Sequence, residues 1–110
     1  MKTKKLQTNC RDPQFETKQS VNYFLTTIGE IDRCIGYYKT LKDTRSVIKN
    51  NCKSLCEFGV YQYVVIEAFG PGWYPTAKIE EWYEFIDNGK KAKRIKKPEK
   101  YRQICNFAIG

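Results

Sequence analysis

Residues 79–97 read IEEWYEFIDNGKKAKRIKK, two β-type runs around the turn signal Asp87-Asn88-Gly89, the clearest hairpin in the chain. Side chains alternate across a strand. In the first arm, Ile79, Glu81, Tyr83 and Phe85 therefore share one face, and Glu80, Trp82, Glu84 and Ile86 the other. In the second arm Lys91 and Lys93 align with Ile95, while Arg94 and Lys96 point the opposite way. A strand charged on both faces cannot be buried on both. It belongs at a sheet edge, where lysine also discourages edge-to-edge pairing.

Working outward, VYQYVVIEAF (60–69) has a continuous apolar middle, Val64-Val65-Ile66, and reads as a central strand. Upstream, SVNYFLTTI and IDRCIGYYKT flank Gly29-Glu30, which predicts strands at about 20–28 and 31–38 joined by a type II′ turn. Thr40-Leu41-Lys42-Asp43 is a capping signal. Leu41, Thr44, Val47, Ile48, Cys52, Leu55 and Cys56 then recur at helical spacing up to Gly59. This predicts a helix over about 41–57, with an interruption expected at Asn50-Asn51 because asparagine is a poor helix former. GPGWYP (70–75) cannot be regular structure. Pro98-Glu99 is expected to open a short helix to about Ile104, and NFAIG to close the chain as an edge strand. The fold class is α+β: one mostly antiparallel sheet of about four to five strands, the 41–57 helix across one face, and a short C-terminal helix. Residues 1–19 are polar and aperiodic and read as a flexible or extended arm; 20–110 read as one domain.

The composition argues against catalysis. The 110 residues include no histidine, which removes the commonest general base and the Cys–His and Ser–His pairs. Of the five cysteines, only Cys52 and Cys56 have usable ligand spacing, and they lie in an apolar helical stripe. Structural zinc needs two such pairs, so buried structural thiols fit better. No metal, cofactor or catalytic residue is assigned. GPGWYP lacks the phosphate-loop and dinucleotide patterns. The chain shows no secretory core and no apolar run long enough to span a membrane, and its odd cysteine count suits a reduced, cytoplasmic setting.

What remains is charge. Twenty Lys and Arg against twelve acids give a formal +8. Between Asn88 and Arg102 stand eight basic residues and one acid, Glu99, a net of +7 in that segment. Two readings fit: lysines guarding a sheet edge, or a ridge for phosphates with aromatics alongside to stack on bases. The binding version rests on Lys91, Lys93, Arg94, Lys96 and Lys97 for charge, with Trp73, Tyr74, Trp82 and Tyr83 as aromatic contacts. Its partner would be a nucleotide-type ligand or a nucleic acid. The rival is a protein-interaction module: an inhibitor that grips an acidic host protein through the Trp73-Tyr74 loop, or a subunit of a small homo-oligomer.

The landmarks Gly36-Tyr37-Tyr38, Val64-Val65-Ile66-Glu67, Gly72-Trp73-Tyr74-Pro75, Glu81-Trp82-Tyr83, Lys97-Pro98-Glu99 and Asn106-Phe107-Ala108-Ile109-Gly110 resemble a family of small bacterial and phage-borne open reading frames. That family carries no assigned activity. The resemblance spans residues 31–110 and implies context alone: an accessory protein of a phage or mobile element, engaged in the conflict between phage and host defence.

Overall fold

The computed structural model describes residues 21–70 and 77–108. Five strands, β1 (Asn22–Gly29), β2 (Arg33–Tyr38), β3 (Tyr61–Phe69), β4 (Ile79–Ile86) and β5 (Lys91–Ile95), form one sheet in the order β2-β1-β3-β4-β5. Every neighbouring pair is antiparallel. The apolar run of β3 takes the centre and the lysine-rich β5 an edge, as their patterns predict. The fold is α+β.

The predicted helix is two. α1 (Leu41–Asn50) opens on Thr40, whose hydroxyl accepts the Asp43 amide at 3.0 Å. It breaks at Asn51, which leaves helical geometry while its side-chain amide donates to the Val47 carbonyl at 2.9 Å. α2 (Cys52–Cys56) then completes the crossover toward β3. Asparagine competes for backbone partners in this way, which is why it weakens helix interiors.

The β1–β2 connection departs from expectation. Gly29 does not sit in a type II′ turn: it is the last residue of β1, opposite Tyr61, and the loop is Glu30–Asp32. Its missing side chain serves close approach, since a Cβ there would collide with the Val60 carbonyl.

The sheet is covered on both faces. On one, Leu25, Val64 and Ile66 pack with Ile48 and Leu55 of the helices, edged by Tyr83, Phe85 and Ala92. On the other, Ile28, Val65 and Trp82 pack with Ile95, Tyr63, Tyr101 and Phe107. The second cover is the C-terminal segment. It contains a 3-10 turn at Glu99–Tyr101 where a longer helix was expected, and residues 104–108 are irregular, not an edge strand. Trp82 stacks on Tyr101 with ring centroids 5.5 Å apart and meets Phe107 edge-on at 5.3 Å. Burying an aromatic ring of ~200 Å2 contributes roughly 5 kcal/mol, so this cluster is a second core.

One buried acid anchors that cover. Glu67 is fully buried, and its carboxylate accepts the Phe107 amide at 2.9 and 3.1 Å and the Ala108 amide at 3.0 Å. Burial pushes its pKa up to about 7, against the opposing pull of those amides. Glu80, its cross-strand neighbour, accepts the Trp82 indole N–H at 3.0 Å and pairs with Lys97 at 3.2 Å.

Two turns at one end of the sheet share an unusual backbone. Asp87, Asn88 and Gly89 have φ of 55°, 55° and 81°, and Glu57, Phe58 and Gly59 have 49°, 57° and 91°. Asp, Asn and Gly tolerate the left-handed region. Glu and Phe do so at a cost of roughly 1–2 kcal/mol each. Gly89 packs directly on α2, where a Cβ would strike the Cys56 Sγ.

Candidate functional site

α1 crosses the sheet face that carries Tyr83 and Ala92, and between it and the edge strand β5 runs a groove of about 360 Å3. Arg45 and Lys49 line it from α1, Lys90 and Lys91 from the hairpin, and Ile48, Cys52, Tyr83 and Ala92 make its floor. Arg45 and Lys49 stand four apart and so project from one flank of the helix. Ile48 of α1 and Cys52 at the start of α2, both buried, seat that flank against the sheet. Four cations thus face one apolar floor, and no carboxylate is among the lining residues.

A buried carboxylate organises the groove from below. Glu81 is 5% exposed. It is gripped by Arg45 through Nε at 3.0 Å and through a second guanidinium nitrogen, accepts the Tyr83 hydroxyl at 2.8 Å, and stands 3.6 Å from Arg94. The Arg45 guanidinium holds the Glu81 carboxyl below its ordinary range, and the Arg45 pKa is raised in return. Arg94 also lies over the Tyr83 ring, 5.7 Å from its centroid. The Tyr83 hydroxyl is raised by burial first and by Glu81 second, so the ring keeps its proton. Two arginines and one glutamate leave a net positive cluster, with the three lysines adding to it.

The residues singled out from the sequence divide accordingly. Tyr83 belongs to the groove and Arg94 flanks it through Glu81; Lys91 lines its end, although the register puts it on the same face of β5 as Lys93 and Ile95. Lys93 is exposed on the opposite face, across from Glu84, and Lys96 is exposed just beyond the strand. Lys97 is not part of an open ridge: it pairs with Glu80, donates to the Ile104 carbonyl at 2.7 Å and covers the Phe107 ring. It is a clamp on the C-terminal segment. Trp82, expected as an exposed stacking surface, is 2% exposed and a core residue; alternation placed it on a face that the C-terminal segment covers. Trp73 and Tyr74 lie outside the described residues. Arg45 and Lys49 were not anticipated, and Lys90 was counted in the basic run but not among the contacts. The four-residue spacing on α1 was visible, but its juxtaposition with β5 was not.

The groove offers binding chemistry. Its one thiol, Cys52, donates to the Ile48 carbonyl at 3.0 Å, and burial pushes its pKa up, which keeps it protonated and a poor nucleophile. Among the described residues, no three metal-ligating side chains cluster, and no helix is long and apolar enough to cross a membrane. No family model, no curated protein and no solved structure matches the chain.

Proposed function

We propose that this chain is a non-enzymatic binding protein whose ligand is a phosphate-bearing, nucleotide-type molecule held between α1 and β5. One observation carries the reading: Arg45, Lys49, Lys90 and Lys91 line an apolar floor, and the one carboxylate beneath it, Glu81, is buried and already paired with Arg45. A groove of about 360 Å3 falls in the range of small-molecule sites, which combine an apolar body with a few placed polar groups. A base or other flat apolar group would lie on Tyr83, Ala92 and Ile48, with its phosphates among the lysines. Arginine fixed by Glu81 is preorganised, so less freedom is lost when an anion binds. The setting that suits the free thiols and the family resemblance is the cytoplasm, in a phage- or mobile-element-borne accessory role.

The test is titration of the purified protein with a nucleoside triphosphate and with a single-stranded oligonucleotide, over a series of salt concentrations. Lys49→Ala with Lys90→Ala should weaken the nucleotide at least about tenfold, and affinity should fall steeply with salt. Lys100→Ala, on the opposite face, should leave binding unchanged. If the true ligand is a nucleic acid, the exposed Lys93 and Lys96 contribute as well, and their removal lowers the salt slope. Absence of binding at low salt, or a flat salt dependence, refutes the reading.

A further inference from the structure

The end of the sheet that carries the two left-handed turns has a distinct surface. The antiparallel order brings the end of β1, the start of β3 and the end of β4 together, so loops 30–32, 57–60 and 87–90 form one tip. Arg33 ties the first to the second through Glu57 at 2.9 Å. Ile31 is 76% exposed, Val60 60%, and Phe58 103%, a ring with no cover at all. Phe58 gains no packing from a backbone conformation that phenylalanine disfavours. Strain held without a packing return is where a functional contact is sought.

The tip contains both a knob and a hole. Phe58 projects, and beside it lies a groove of about 730 Å3 lined by Lys53, Ser54, Cys56, Glu57, Val60 and Asn88 and by Phe58 itself. The tip also differs in charge from the rest of the protein. Glu30, Asp32, Glu57 and Asp87 stand there with Arg33, Lys53 and Lys90, four acids against three bases, in a chain whose net charge is +8. Two copies approaching by their basic faces repel, whereas two tips of mixed sign do not.

We propose that the tip is a self-association surface, on which two copies of the chain meet about a two-fold axis and each Phe58 seats in the groove of the other. A two-fold contact requires one patch to be complementary to itself. An aromatic knob beside a hole with Cys56 and Val60 in its wall and Lys53 and Glu57 supplying both signs of charge meets that requirement. An aromatic anchor in a desolvated pocket with a polar rim is also how interface affinity is concentrated. The inference does not rest on the α1–β5 groove, with which the tip shares Lys90.

Sedimentation velocity on the full chain, from about 10 µM to about 1 mM, tests it, because a dimer is revealed by its concentration dependence. The wild type should shift from monomer to dimer. Association should hold or strengthen at about 0.5 M salt, which screens the overall positive charge while leaving apolar contact intact; nucleotide binding in the other groove should weaken under the same conditions. Phe58→Gly should weaken dimerisation at least about tenfold while raising the urea midpoint, because glycine accepts the left-handed backbone. The raised midpoint separates loss of the interface from loss of the fold. A wild type that stays monomeric across the range overturns the proposal, as does a Phe58→Gly variant that dimerises as well as the wild type.

Discussion

The carboxylate of Glu67 makes the stability of this protein depend on pH in a direction opposite to most acids. Its folded pKa is raised from 4.5 to about 7 because burial outweighs the Phe107 and Ala108 amides that favour the charge. A raised acid binds its proton more tightly folded than unfolded. Its contribution is fully present below pH 4.5 and is lost as pH rises through about 7. At about 1.4 kcal/mol per pKa unit, the loss over that window is roughly 3 kcal/mol. The perturbation is Glu67→Gln, which keeps the shape and one accepting oxygen but cannot ionise. Urea unfolding of both proteins, followed by tryptophan fluorescence at pH values on either side of the window, gives the comparison. Wild-type stability relative to Glu67→Gln should fall by roughly 3 kcal/mol from the acid side of the window to the alkaline side. Because Glu67 holds residues 107–108 over Trp82, tryptophan emission and hydrogen exchange at the Phe107 and Ala108 amides should report the change first. Parallel stability curves would refute the reasoning: Glu67 would then titrate alike in the folded and unfolded chain, the amides offsetting desolvation.

Two further outcomes follow from the helix face. Gly89→Ala forces a left-handed alanine against the Cys56 Sγ and should cost about 2–4 kcal/mol; in a Cys56→Ala background the collision is relieved, and only the backbone cost of about 1–2 kcal/mol should remain in chemical denaturation. Glu81→Gln removes the charged partner of Arg45 and should cost about 1.5–3 kcal/mol at neutral pH. Because the Glu81 carboxyl is held low by Arg45, its contribution is present above the unfolded pKa and is lost as pH falls through the folded one. The deficit should therefore shrink in acid, the mirror image of Glu67.

Local chemistry made the strands legible. Alternation in 79–86, the Asp87-Asn88-Gly89 turn and the apolar run at 64–66 each act over a few residues, so β4, β5 and the central place of β3 could be read directly. The break at Asn51 and the cap at Thr40 were equally local. The period of β4 showed that Glu81 and Trp82 face opposite sides, but not what covers either side. That is decided by contacts between distant segments: Arg45 reaches Glu81 across 36 positions, and Phe107 reaches Glu67 across 40. Those contacts set the roles of the charges. Lys97, within the same basic run as Lys91, becomes a clamp because the C-terminal segment folds back over Trp82. Lys91 becomes part of a groove because α1 crosses beside β5. Residue type and spacing are properties of neighbours along the chain; burial, pairing and the pKa of a carboxylate are properties of whatever the chain brings beside it.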